Sequence, residues 1–128
     1  MPKTDIRVFR DTTGRSDFLD WLGERGRSLQ LRAKCYEKLI LLGHFGNELR
    51  RPMADYLRDG VYELRFKYRN VNYRIFYGFT GRQIALVSHV ATKLDKVAEK
   101  DIDTAASRLQ LAQSDRDTYT AEMDLPDG

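Results

Sequence analysis

Arginine and lysine fall at alternate positions in two neighbouring aromatic, β-prone runs. In Val61–Tyr68 (VYELRFKY) the alternation puts Glu63, Arg65 and Lys67 on one side and Tyr62, Leu64, Phe66 and Tyr68 on the other. A tight polar connection, Arg69-Asn70, leads into Val71–Tyr77 (VNYRIFY), which carries Arg74. Paired strands lie about 4.8 Å apart, so Arg65, Lys67 and Arg74 gather as cations that cannot neutralise one another. Guanidinium forks match phosphate oxygens bidentately, so this grouping points to a polyanion, RNA first. The competing reading makes them solvated strand residues or partners of Glu63, Asp95 or Glu99.

Other residues are open to two readings each. Tyr62, Phe66, Tyr68, Tyr73, Phe76, Tyr77 and Phe79 could stack on bases, but strand aromatics also build cores. Tyr73 and Tyr77 alternate with Arg74, so on a regular strand they point away from it unless a bulge intervenes. His89 closes a further β-like run, with Lys93 and Lys96 just beyond; it is either a proton shuttle or a hydrogen-bonded strand-end residue. Cys35 sits on the apolar side of a helix and reads as a small hydrophobe. His44 follows a helix C-terminus, where its charge suits the dipole.

The elements that must position these residues are legible from periodicity. Ile6–Phe9 alternates as a first strand, and Asp11–Gly14 is a turn. Ser16 caps a helix with Asp17 and Asp20 in its first turn and Phe18, Trp21 and Leu22 on one face. Ser28 opens a longer helix to about Gly43, with a stripe of Leu29, Ala33, Tyr36 and Ile40 broadened by Cys35, Leu39 and Leu42. Residues 47–59, containing Pro52, read as a connector. Three strands follow as an antiparallel meander, the last over Gln83–Val90. After a polar loop a final helix, opening at Glu99 or Asp101, buries Ile102, Ala105, Ala106 and Leu109. The fold class is α+β: an antiparallel twisted sheet, an N-terminal helical hairpin on one face, and a C-terminal helix. Residues 1–113 form a single domain and 114–128 an acidic, flexible tail.

At 128 residues the chain has room for one domain with a real core. A single cysteine excludes an internal disulfide, and no Cys/His cluster offers a zinc site. The start of the chain lacks a signal-peptide pattern and no apolar run is long enough to span a membrane, so the expected location is the cytoplasm. The net charge of +3 hides an asymmetry. Residues 60–100 hold eight basic against three acidic side chains, whereas 114–128 hold one against five. The basic segment invites phosphate; the acidic one reads as solvated tail.

Two motifs together resemble a known family. Leu57-Arg58-Asp59-Gly60-Val61-Tyr62-Glu63-Leu64-Arg65 is similar to the "L-x-x-G-l-y-E-L-R" segment of phage-type HigB-like toxins in the RelE/ParE superfamily. Tyr73-Arg74-Ile75-Phe76-Tyr77 resembles the "y-R-i-f-Y" strand that follows it there. The order of the preceding helices and the closing helix, with Ala105 and Arg108, also matches, over about residues 4–112. One departure stands out: where the family reads "h-G-F-x-K-K-t-x-k-t-P", this chain has Ser88–Ala98, keeping one lysine as Lys93 with Thr92 and Ala98 at the other lysine and proline positions.

The resemblance implies a RelE-like fold and the toxin of a type II toxin–antitoxin pair, an mRNA endonuclease acting in the ribosomal decoding site. Such an enzyme can let the substrate's own 2′-hydroxyl attack the adjacent phosphorus. It then needs a base, an acid and positive charge on the developing phosphorane. No metal-binding carboxylate cluster is evident in the sequence, so this cationic route fits better than two-metal hydrolysis, and no cofactor is expected. Arg65 and Arg74 would stabilise charge, His89 would serve as acid or base, and Lys93 would join them. Lys67, Arg69, Tyr77 and Lys96 would bind the RNA. The implied partners are the ribosome with its mRNA and a co-encoded helix-turn-helix antitoxin, with operator DNA reached only through the antitoxin complex, and no membrane. The antitoxin could cover the cations or dock on the outer helices, where Leu31 and Leu41 look spare. ParE-like relatives share the fold but inhibit DNA gyrase by binding, and a catalytically degenerate member is a third alternative.

Overall fold

The computed structural model describes residues 4–24, 27–81, 83–92 and 97–125. Elements follow in the order β1 (Asp5–Phe9), α1 (Asp17–Leu22), α2 (Leu29–Phe45), β2 (Ala54–Arg58), β3 (Val61–Tyr68), β4 (Val71–Phe79), β5 (Ile84–Thr92), α3 (Glu99–Ser114), α4 (Arg116–Tyr119) and β6 (Thr120–Glu122). The six strands form one sheet in the order β2-β3-β4-β5-β1-β6. The meander from β2 to β5 is antiparallel, β1 lies parallel to β5, and β6 is antiparallel to β1. This is the expected α+β class with a RelE-like arrangement.

Alternation in the strands sorts side chains between two cores. On one face the α1–α2 hairpin covers Ile6, Val8, Leu64, Phe66, Tyr73, Ile75, Tyr77, Ala85 and Val87. Burying an aliphatic side chain such as Leu64 or Ile75 contributes roughly 1.5–3 kcal/mol each. On the other face α3 lays Ile102, Ala105, Leu109 and Ala112 against Val61, Phe76, Phe9 and Leu86. Ser16 and Ser28 cap α1 and α2 by accepting from the backbone N–H of Leu19 and Leu31, as their positions predict. At Gly78 the side chain of Leu109 on α3 packs closely on the sheet. A Cβ there would stand 2.8 Å from both the Gly60 carbonyl oxygen and Leu109 Cδ2.

Four expectations are corrected. Residues 54–58, read as connector, form strand β2 at the sheet edge, because Asp59 and Gly60, both at positive φ, turn the chain straight back into β3. The buried stripe of α2 is Leu31, Cys35, Leu39 and Leu42, while Leu29 is 76% exposed and Ala33 is also exposed. Leu31 is therefore core and not spare for a partner. The sheet expected to be antiparallel has one exception, β1, which sits beside β5 in parallel. Finally, the segment read as a loose tail continues the fold: α4 turns the chain back and β6 pairs with β1, held by Arg7 to Thr120 and Glu122, by Arg10 to two carbonyls, and by stacking of Phe9 on Tyr119.

Candidate functional site

The β3–β4 hairpin builds the candidate site. Arg69 and Asn70 both take positive φ, 49° and 66°, the conformation of a two-residue turn whose twist suits the flanking strands. That turn fixes a strict register: Lys67 opposite Asn72, Arg65 opposite Arg74, and Glu63 opposite Phe76. These six side chains share the face that α3 covers only at its Val61–Phe76 end. Beyond α3 the face opens into a recess of about 350 Å3 lined by Arg65, Phe66, Lys67, Asn72, Tyr73 and Arg74.

Among the described residues, cations gather in and beside this recess around one buried carboxylate. Like charges directly opposite on paired strands repel, and Arg65 and Arg74 are so placed. Glu63 lies beside both, its side chain 6% exposed, with Oε1 3.6 Å from Arg74 Nε and Oε2 3.8 Å from Arg65 Nε. Among the described residues, the Glu63 carboxylate faces both guanidinium groups, with the exposed Lys67 ammonium nearby. Part of the competing sequence reading is realised here, since Glu63 is a partner of both arginines. Arg74 is 12% and Arg65 37% exposed, so the pair spans from the wall of the recess to its mouth. Arg69 sits exposed at the tip of the same hairpin, its guanidinium 5.6 Å from the Tyr68 ring centre.

His89 reaches this face through a β-bulge. The β4–β5 pairing runs Tyr77 opposite Val87 and then Phe76 opposite His89, leaving Ser88 as the extra residue. Without it His89 would point to the helical hairpin with Val87. With it the imidazole stacks on Phe76, ring centres 4.9 Å apart, beneath α3. Both ring nitrogens are engaged: Nδ1 with Ser88 Oγ at 2.7 Å and Nε2 with Asp101 Oδ1 at 3.1 Å. Burial lowers its pKa from the ordinary histidine value, more than the Asp101 contact raises it. A neutral ring then donates from Nε2 to the carboxylate and accepts at Nδ1 from the hydroxyl. Arg108 completes the network by donating to the Ser88 carbonyl at 3.1 Å and to the Asp17 carboxylate, tying α3 to β5 and α1.

The remaining sequence candidates separate. Tyr77, expected to touch RNA, is 1% exposed on the hairpin face, stacked against Tyr62, with its pKa raised by burial. The bulge falls on β5 and not on β4, so Tyr77 stays turned away from Arg74 and is a core residue. Lys93 and Lys96 lie outside the described residues. Cys35 is buried, its thiol pushed up to about 12 by desolvation. Asn72 was missed as a recess residue; the signal was its place two residues before Arg74 on an alternating strand.

The sequence model of the phage-derived Gp49-like family (DUF891) matches residues 25–110, two thirds of the chain, from α2 through most of α3. The chain belongs to that family. It is a RelE/HigB-like toxin family of toxin–antitoxin systems, and RelE-type toxins are RNases. The matched region includes both strands of the Gp49-like recess and the helix that borders it. No curated protein matches the chain. Among the described residues no helix is long and apolar enough to cross a membrane.

Proposed function

We propose that this chain is the toxin of a type II toxin–antitoxin pair and cleaves mRNA on the ribosome. One observation supports the reading: Arg65, Lys67 and Arg74 line a single open recess on the sheet, a grouping of cations whose chemistry suits phosphate. In the proposed reaction the 2′-hydroxyl oxygen bonds to the adjacent phosphorus and the bond from phosphorus to the 5′-oxygen breaks. A 2′,3′-cyclic phosphate and a 5′-hydroxyl result, with water taking one proton and returning another. Arg74 and Arg65 hold the extra negative charge of the phosphorane, and Lys67 and Arg69 hold flanking phosphates. His89, committed to Ser88 and Asp101, keeps α3 in place and moves no proton.

That commitment of His89 also favours a second reading, a binder of the gyrase-inhibiting kind or a degenerate member, in which the cations dock without chemistry. Induction in growing cells separates the two. Primer extension showing discrete cuts in translated messages supports the nuclease. Intact messages with altered DNA supercoiling or broken DNA refute it. In this proposal the toxin acts in the cytoplasm and is held silent by a co-encoded helix-turn-helix antitoxin.

A further inference from the structure

Helix α2 is apolar on two sides. Its inner stripe, Leu31, Cys35, Leu39 and Leu42, is buried against the sheet. Leu29, Ala33, Tyr36 and Ile40 form a second stripe, roughly 135° further round the helix at about 3.6 residues per turn. Leu29 is 76% exposed, Ala33 is exposed, and Tyr36 and Ile40 are half-buried, Tyr36 on the margin of the core. Steps of four, three and four residues are those of a coiled-coil seam, a repeat of about 3.5 whose side chains insert between those of a facing helix. A surface helix ordinarily turns a polar face to water. On α2 about three turns of apolar seam stand there instead.

Charge on the same helix selects the kind of partner. Glu37 is the sole carboxylate on α2, and Lys38 meets it at 3.9 Å. Arg32 and Lys34 have no carboxylate partner among the described residues, and the hydrogen bond from Arg32 to the Glu24 carbonyl is long, at 3.5 Å. Two copies of α2 laid together would set cations against cations. RNA would gain from the cations but not from the apolar stripe. An acidic amphipathic helix satisfies both. We infer that the outer stripe of α2 docks such a helix from a partner protein, with apolar residues spaced by three and four along the seam and acidic residues along its edges to match Arg32 and Lys34. In the toxin–antitoxin pair proposed above, this helix lies on the antitoxin, which then grips the toxin on the side of the sheet away from the recess.

Two synthetic peptides test this against the full chain. Both are capped three-heptad helices with leucine at a and d and glutamine or alanine at b, c and f; one carries glutamate and the other lysine at e and g. Fluorescence anisotropy of the labelled peptides reads affinity, and sedimentation equilibrium reads the state of the protein alone. The glutamate peptide should bind, and the lysine peptide at least tenfold more weakly. Ala33→Lys should weaken the glutamate peptide at least tenfold, although it adds positive charge, and should melt like wild type because position 33 is exposed and lysine suits a helix. Leu29→Lys, at the other exposed seam position, should do the same. Arg32→Glu combined with Lys34→Glu should reverse the preference between the peptides. Binding of neither peptide, equal binding of both, or glutamate-peptide affinity that Ala33→Lys and Leu29→Lys leave unchanged overturns the inference. So does a wild-type dimer that Ala33→Lys dissolves, which gives the stripe to a second copy of this chain. A single-stranded RNA that displaces the glutamate peptide from wild type and Arg74→Ala alike also overturns it and gives the stripe to RNA. None of these readouts depends on RNA cleavage, so a failed nuclease reading leaves them untouched.

Discussion

At the scale of single residues, Arg74 and His89 share one sheet face and are expected to behave in opposite ways. Arg74 borders the recess and contributes little to the apolar core. Arg74→Ala should abolish growth inhibition, consistent with about 10²–10³ lost in rate, while circular dichroism and thermal unfolding still report a folded protein. A folded, fully toxic Arg74→Ala would move the site elsewhere. His89 should report on stability instead. Its folded pKa lies below the ordinary value of 6.5, chiefly through desolvation. Between those two values the unfolded chain binds more protons than the folded one, so stability is complete above about pH 6.5, falls as pH drops below it, and levels off past the folded pKa. Asp11 and Asp55 are shifted below 3.8, so their losses come at lower pH. Melting temperatures from pH 7.5 to 5 should show the histidine limb, and His89→Gln should flatten it; an unchanged limb would mean another group titrates there. The cations of this site could be read from alternation alone, because Glu63, Arg65 and Lys67 obey a strict period of two. The state of His89 could not: a bulge at Ser88 and an aspartate 12 residues later on α3 decide it, and neither leaves a periodic trace.

At the scale of elements, the site depends on how closely α3 lies on the sheet without covering Arg65 and Arg74. Gly78 permits that approach, with the Gly60 carbonyl and Leu109 both 2.8 Å from where a Cβ would be. The carbonyl is backbone and cannot swing away, so Gly78→Ala should lift α3 and destabilise the fold by about 1–3 kcal/mol, the usual cost of overpacking. Urea unfolding measures it, and a variant as stable as wild type would mean α3 is more loosely seated than described. Arg58, at the end of β2, pins the start of the same helix through Glu99 and Asp103. Helix caps, hairpin strands and the apolar face of α3 were all legible, since each repeats at its own period. The face of α2 was legible only in Cys35, Leu39 and Leu42; apolar residues occur on every side of the helix, and tertiary packing selects Leu31 over Leu29. Strand β2 was legible in principle, as Asp59-Gly60 between Tyr56-Leu57-Arg58 and Val61-Tyr62 is a hairpin signal. Pro52 and the charged residues around it weighed the reading toward a connector.

At the scale of the whole molecule, the acidic C-terminal segment and the cationic recess are set apart by the sheet itself. The segment pairs beyond β1, three places along the strand order from β4, so it adds an edge strand without screening Arg65 or Arg74. A composition reading sees only its charge; its strand is three residues long and exists through Arg7, Arg10 and Phe9, far away in sequence. That separation makes RNA binding a measure of the recess. Single-stranded RNA loses about 0.7 in log–log slope for each phosphate neutralised. With three or four of Arg65, Lys67, Arg69 and Arg74 engaged the slope against salt should be about −2 to −3, so affinity should fall roughly sixteen- to sixtyfold between about 50 and 200 mM. Arg74→Ala should shallow that slope by about 0.7. Arg15→Ala should leave it alone, because Arg15 lies in the β1–α1 turn, away from the recess, and is paired with Asp20. Titrations of a labelled oligonucleotide at four or five salt concentrations suffice. A flat response would remove the recess from RNA binding altogether. Equal shallowing by both variants would show that the protein attracts RNA through its overall charge, and the register of Arg65 against Arg74 would then have no part in recognition.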